Sequence, residues 1–310
     1  MPEGPFFSII VPTHDRIDQL ALCLDAIRQI EFPRSDCEVI VVDDASRMPA
    51  EALSTHQATE VSVRFVRTDT NQGPAAARNL GARHARGRYL AFTDDDCLPP
   101  PDWLQKLRNS LETAPASMVG GPIASGSPNS LCSAASATIL EVVFRHYNHD
   151  HRNARFLTTA NLALPAGLFS RIGGFNPEFR TSEDREFCAR WLREGFPLLY
   201  APEAVMVHRD QSNLRGFWRR HFNYGKGAYR FRARSASREG EAVKLEPLAF
   251  YWQLLRFPFT KGFGVRAALT AFLVLISQLA SALGFLSEWR GSKGESRKSG
   301  APSNSGRHRP

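Results

Sequence analysis

Three apolar runs in the first hundred residues each stop abruptly at a polar step. Phe6-Phe7-Ser8-Ile9-Ile10-Val11 ends at Pro12-Thr13-His14-Asp15, Cys37-Glu38-Val39-Ile40-Val41-Val42 at Asp43-Asp44, and Tyr89-Leu90-Ala91-Phe92 at Thr93-Asp94-Asp95-Asp96. Short runs rich in β-branched and aromatic residues read as buried strands. Between them lie helical patterns, Asp18 to Ile30 and the Ala-rich Pro74 to Ala85, and an alternating stretch, Val61 to Val66. Apolar strands alternating with helices predict an α/β fold, a largely parallel sheet with helices on both faces. Ligands bind such sheets beyond the carboxyl ends of the strands. All three polar steps lie there, so one shared polar site is expected.

The third step is electrostatically the most demanding. Two like charges ~4 Å apart repel by about 4 kcal/mol at an effective dielectric of ~20. Three successive carboxylates therefore call for protonation, solvation or a cation. Extended backbone through the run would turn Asp94 and Asp96 to one side and Asp95 to the other. An Asp-x-Asp pair on one side suits a hard divalent cation. A solvated turn is the plain alternative.

Further along, Ser133 to Phe144 has helical character, and His146, His149 and His151 cluster with Asp150 in a polar stretch over 145–153 that reads as a solvated loop or lid. Glu183 to Arg193 is a helix with an apolar face of Phe187, Trp191 and Leu192. The five cysteines are scattered without a C-x-x-C pair, which argues against a zinc site or a disulfide framework. The first residues, Met1-Pro2-Glu3-Gly4-Pro5, have neither the basic nor the apolar region of a signal peptide.

These elements, taken in order, resemble the family 2 inverting glycosyltransferases and their GT-A fold. The resemblance covers roughly Phe6 to His208. It rests on Ser8-Ile9-Ile10-Val11-Pro12-Thr13, Val39 to Ser46, Asn71-Gln72-Gly73-Pro74-Ala75-Ala76-Ala77-Arg78-Asn79, Thr93-Asp94-Asp95-Asp96 and Ser182-Glu183-Asp184. It implies sugar transfer from a nucleoside diphosphate sugar donor to an acceptor, with Mg²⁺ or Mn²⁺ as cofactor. Pro12, Thr13 and Arg16 would line the base and ribose pocket. Asp43 or Asp44 would hold the base edge, and Arg78 the base or a phosphate. Asp94 would face the ribose or share the metal, Asp96 would ligate it, His208 would complete the shell, and Asp95 stands beside the donor. Asp184, with Glu183 next to it, is the implied catalytic base. Both occupy the first turn of a helix, whose dipole is expected to keep a carboxylate ionised. The Gln-x-x-Arg-Trp motif of processive synthases is absent, which implies the addition of one sugar or a few.

The C-terminal third is different in kind. Leu214 to Arg238 carries eight Lys/Arg and no Asp/Glu, interleaved with aromatics. That pattern suits an anionic membrane surface or a phosphate-rich ligand, and no nucleic-acid module surrounds it. Gly225-Lys226-Gly227 is expected to form a flexible loop over the donor diphosphate. Ala267 to Leu286 is free of charge for 20 residues, enough to span ~30 Å. Thr270, Ser277, Ser281 and Gly284 share one helical stripe, fit for close packing against another copy or the enzyme's own body. Spanning, lying in the interface and burial in the catalytic body all remain open for this segment.

The expected organisation is 1–120 as the donor half, 121–213 as the acceptor and catalytic-base half, 214–290 as a basic and membrane-associated segment, and 291–310 as a disordered tail. A glycan or lipid-linked acceptor is expected, with the site on the cytoplasmic face of a membrane. A nucleotidyltransferase and a non-catalytic sugar- or nucleotide-binding protein are the competing readings.

Overall fold

The computed structural model describes residues 4–56, 62–127, 129–210, 212–239 and 245–299. In chain order the regular elements are β1 (Phe7–Thr13), α1 (Ile17–Arg28), β2 (Cys37–Asp43), β3 (Val63–Arg67), α2 (Pro74–His84), β4 (Tyr89–Phe92), β5 (Cys97–Leu98), α3 (Trp103–Thr113), β6 (Met118–Gly120) and β7 (Ile123–Ser125). They continue as α4 (Leu131–Tyr147), β8 (Leu162–Pro165), α5 (Ala166–Ile172), α6 (Glu183–Arg193), β9 (Leu198–Tyr200), β10 (Met206–His208), α7 (Leu214–Glu239), α8 (Leu248–Thr260) and α9 (Val265–Ser299). The expected strands and helices form. Val61, the expected start of the third strand, lies outside the described residues.

The main sheet has seven strands in the order β3-β2-β1-β4-β8-β6-β9. The first four are mutually parallel, and β8 runs antiparallel to both of its neighbours. Side chains alternate between the sheet faces even where every residue is apolar. Phe7, Ile9, Val11, Val39 and Val41 pack with α1 and α3, while Ile10, Ile40 and Val42 pack with α2, α5 and α6. The chain leaves β1 toward β2 on one side and returns to β4 on the other. A crevice opens beyond strand ends at such a reversal, and here it lies between Thr13 and the Asp run. A small sheet, β5-β10-β7, brings His208 to the same end.

A separate apolar cluster joins α4, α7, α8 and α9 through Val142, Phe217, Phe250, Leu254 and Val274. Here two expectations change. Gly225-Lys226-Gly227 is not a loop but lies inside α7. Its glycines serve close approach: a Cβ on Gly225 would stand 1.9 Å from the Ser281 carbonyl oxygen, and one on Gly284 1.9 Å from that of Phe222. Ser281 Oγ also donates to the His221 carbonyl oxygen (3.1 Å). The small-residue stripe of α9 is thus used within the chain. The helix also passes Gly291 and runs to Ser299, so the first part of the expected disordered tail is helical. The rest, 300–310, lies outside the described residues.

Candidate functional site

A cavity of about 1550 Å³ sits over the carboxyl ends of β1, β2 and β4. Pro12, Thr13, Arg16, Asp44, Arg78, Asp94, Asp95, Asp96, Glu183, Asp184 and His208 all line it. Of the expected site residues only Asp43 does not. Its carboxylate accepts from the Ser46 and Ala50 backbone N–H groups (2.8 and 2.9 Å) and from Arg67 (2.5 Å), which fixes the turn after β2. Asp44 faces the cavity and accepts from the Gln72 and Gly73 N–H groups and from Thr68. Of the two acidic candidates for the base edge, only Asp44 lines the cavity.

The Asp run does not stay extended. β4 ends at Phe92 and the run bends into a turn, so the three carboxylates do not alternate sides as an extended strand would place them. Asp94 accepts from Arg78 Nη2 (2.5 Å). Asp95 accepts from Thr13 Oγ1 (2.8 Å) and Arg16 (3.1 Å). Asp96 accepts from the same guanidinium (2.8 Å) and stands 3.1 Å from His208 Nε2. The expected division, Asp94 with Asp96 against Asp95, is therefore corrected: Asp95 and Asp96 share Arg16, and Asp94 turns to Arg78. Charge relief comes from two arginines and a histidine. It is uneven, because burial with Asp96 alongside pushes the Asp95 carboxyl up to about 6 despite Arg16. Burial opposes ionisation of Asp96 too, but the bond to His208 and the charge of Arg16 hold its carboxyl below the usual range.

Arg78 is a strut more than a ligand contact. It is 3% exposed, and it joins Asp94 to Glu183 Oε1 (2.8 Å) across the cavity floor. Glu183 is thereby committed to Arg78, which leaves Asp184 as the carboxylate open to a substrate. Asp184 Oδ1 accepts from the Arg185 N–H (2.7 Å). The expectation that the helix start lowers its pKa is overturned. Burial, then the Glu183 carboxylate beside it, push Asp184 up to about 7. A helix dipole contributes only ~0.3–1 kcal/mol, and lost hydration outweighs it.

The roof of the site escaped the sequence reading. Tyr224 on α7 lines the cavity beside Glu183 and Asp184, although 47% of it stays exposed. Thr181 Oγ1 donates to the Asn223 carbonyl oxygen (3.0 Å), and Gly227 abuts Thr181 and Ser182 with no room for a Cβ. The signal was present: Phe217, His221, Tyr224 and Ala228 recur at helical spacing.

A divalent cation can be tested against this donor set. Asp96 and His208 offer an oxygen and a nitrogen side by side in the cavity, which fits a cation whose remaining ligands are water and phosphate oxygens. Among the described residues no group of three His, Cys, Asp or Glu converges as a ready metal cage. Asp94, held by Arg78, does not join the pair. The 145–153 histidines form no cage either: His146 faces Glu246 (3.4 Å) and Asp150 closes a turn onto Arg152 and Asn153.

Residues 8–176, more than half of the chain, match the model of Glycosyl transferase family 2. The chain belongs to that family. Glycosyltransferase AglE of Haloferax volcanii is 26% identical over 224 residues, 72% of this chain and 73% of its own length. The pre-mycofactocin glycosyltransferase of Mycobacterium tuberculosis is 25% identical over 73% of this chain, which spans about half of that protein (48%). Among solved structures, the mannosyltransferase PcManGT of Pyrobaculum calidifontis, in complex with GDP-Man and Mn²⁺, superposes with a TM-score of 0.61 at 20% identity, over 95% of this chain and 81% of that one. Staphylococcus aureus TarS residues 1–349, in complex with UDP-GlcNAc, gives a TM-score of 0.58 at 15% identity, over 94% and 92%. The fold is of GT-A type, and the chain is a glycosyltransferase. The nucleotidyltransferase and non-catalytic readings are set aside.

Proposed function

We propose that this glycosyltransferase is inverting and metal-dependent, and moves a sugar from a nucleoside diphosphate to a hydroxyl of a lipid-linked or surface-glycan acceptor. The observation that carries this reading is the placement of Asp184, a cavity carboxylate raised to about 7, in one cavity with the Asp96–His208 pair. Residues 1–120 supply the donor side: Asp44 faces the base, Thr13 and Arg16 the nucleoside. Residues 121–213 supply the acceptor side. Asp184 takes the proton as the acceptor oxygen bonds to the anomeric carbon. The bond from that carbon to the diphosphate oxygen breaks, and its electron pair leaves with the diphosphate. Asp96 and His208 would hold a Mg²⁺ or Mn²⁺ ion, whose charge supports the leaving diphosphate. Arg78 keeps the Asp94 turn and the Glu183-Asp184 turn at fixed separation. The C-terminal segment sits on an anionic membrane, with the site on the cytoplasmic side.

A thermal-shift series with nucleoside diphosphates, with and without Mn²⁺, tests the donor side. Bound ligand stabilises by RT ln(1 + [L]/Kd), about 2.7 kcal/mol at one hundred times Kd. One nucleoside diphosphate should raise Tm by several degrees, and only with the metal. Asp96→Ala should remove that metal-dependent gain. A gain unchanged in Asp96→Ala would place the metal elsewhere.

A further inference from the structure

The cavity is larger than one donor needs. Pockets for a single small ligand run ~300–1,000 Å³, and this one measures about 1550 Å³. Its chemistry is also divided. The sheet end is lined by the carboxylates and arginines described above. Away from the sheet, Ile139, Leu140 and Val143 of α4, Phe250 and Leu254 of α8, and Phe285 of α9 give the lining an apolar wall, with Tyr251, Gln278 and the Arg232–Glu246 ion pair (2.8 Å) also in the lining.

The two regions meet at α7. His221 lies between Phe217 of the apolar cluster and Tyr224 of the site, with ring centroids 4.4 and 5.6 Å away. It is 5% exposed, it lines the cavity, and its Nε2 has no hydrogen-bond partner. A buried polar nitrogen left open in this way is costly unless a ligand or water meets it. The apolar end also communicates with the outside. Leu286 lines it and is 44% exposed, at the end of an outward stripe on α9 formed by Leu269, Phe272, Leu275, Leu279 and Leu283. Arg209 and Arg219 line the cavity as well, together with Arg180, Arg185, Arg220 and Arg232.

We propose that this apolar end holds the hydrocarbon chain of the acceptor. The acceptor is then a membrane lipid whose chain is joined through phosphate to the sugar bearing the reactive hydroxyl. The chain enters past Leu286, the phosphate meets Arg209 and Arg219, and the hydroxyl is presented to Asp184. This deepens the transferase reading above and rests on it. Each further chain CH₂ that is buried should raise affinity about four-fold, so affinity rises with chain length.

The test uses the full chain and dodecyl phosphate carrying a diazirine at the end of its chain. After irradiation, peptides are mapped by mass spectrometry. Saturable labelling of 139–143 and 250–254 is expected, suppressed by excess unlabelled dodecyl phosphate and little affected by uncharged dodecyl maltoside. Leu140→Gln should lower that labelling at least ten-fold, and the milder Val143→Thr several-fold, while the nucleoside diphosphate thermal shift is kept. Labelling confined to the outer α9 stripe, failing to saturate, or equally displaced by the uncharged detergent overturns the proposal. Saturable labelling without any nucleoside diphosphate shift would instead uphold the lipid site and remove the donor reading.

Discussion

Asp184 carries the sharpest consequence at the scale of single residues. A general base acts only when ionised, so transfer should rise with pH through about 7 and level off above it. Asp184→Asn should lose ~10²–10⁴-fold in transfer while donor binding stays. The same carboxyl acts on stability with a defined sign. Its pKa is raised from 3.8 to about 7 on folding. The folded state therefore favours the protonated form, and the contribution is full below about 4 and lost as pH rises through 7. Asp184→Asn should melt above the wild type at pH 8 and show no such gain at pH 4. Full transfer by this variant would exclude Asp184 as the base. The position of Asp184 was legible in Ser182-Glu183-Asp184, but its charge state was not. That state depends on burial beneath α7 and on Glu183 being tied to Arg78, a residue 105 positions earlier. The division between Asp43 and Asp44 was hidden for the same reason, since Arg67, Gln72 and Gly73 decide it from other segments.

At the scale of elements, the strands and their helices were readable because apolar runs and periodicity are local. α7 was misread because glycine has two uses. Gly225 and Gly227 look like loop residues in a basic stretch, but they let α7 approach α9 and the Thr181-Ser182 turn. Only the facing backbone distinguishes the two. Gly225→Ala should gain up to ~1 kcal/mol of helix propensity, yet it would press a methyl group into a carbonyl oxygen. Overpacking of that kind costs ~1–3 kcal/mol or more, so a net loss in Tm is expected. Gly167→Ala, in α5 with nothing within 4 Å of its new Cβ, should be neutral or slightly stabilising. Equal melting of the two variants would mean that α7 and α9 are not in backbone contact.

For the whole molecule, the membrane placement proposed for α9 is argued from what the helix packs against. One described helical stretch, Val265–Ser292, is long and apolar enough to cross a bilayer. The sequence left spanning, interfacial and buried placements open because all three need the same composition. The structure shows α9 sharing one face with α7 and presenting Phe272 and Leu279, both more than half exposed, on the other. Spanning would draw α7 and its Lys/Arg residues toward hydrocarbon, at ~2.5–3.5 kcal/mol for each such charge near the centre. Lying in the plane keeps those cations at the headgroups and buries only the apolar stripe. The full chain should therefore float with vesicles containing anionic lipid and detach as salt rises. Alkaline carbonate should extract it. Phe272→Gln combined with Leu279→Gln should abolish flotation while the nucleoside diphosphate thermal shift remains, since neither side chain touches the cavity. Retention in the carbonate pellet would establish spanning, and α7 would then have to separate from α9 in the membrane-bound enzyme.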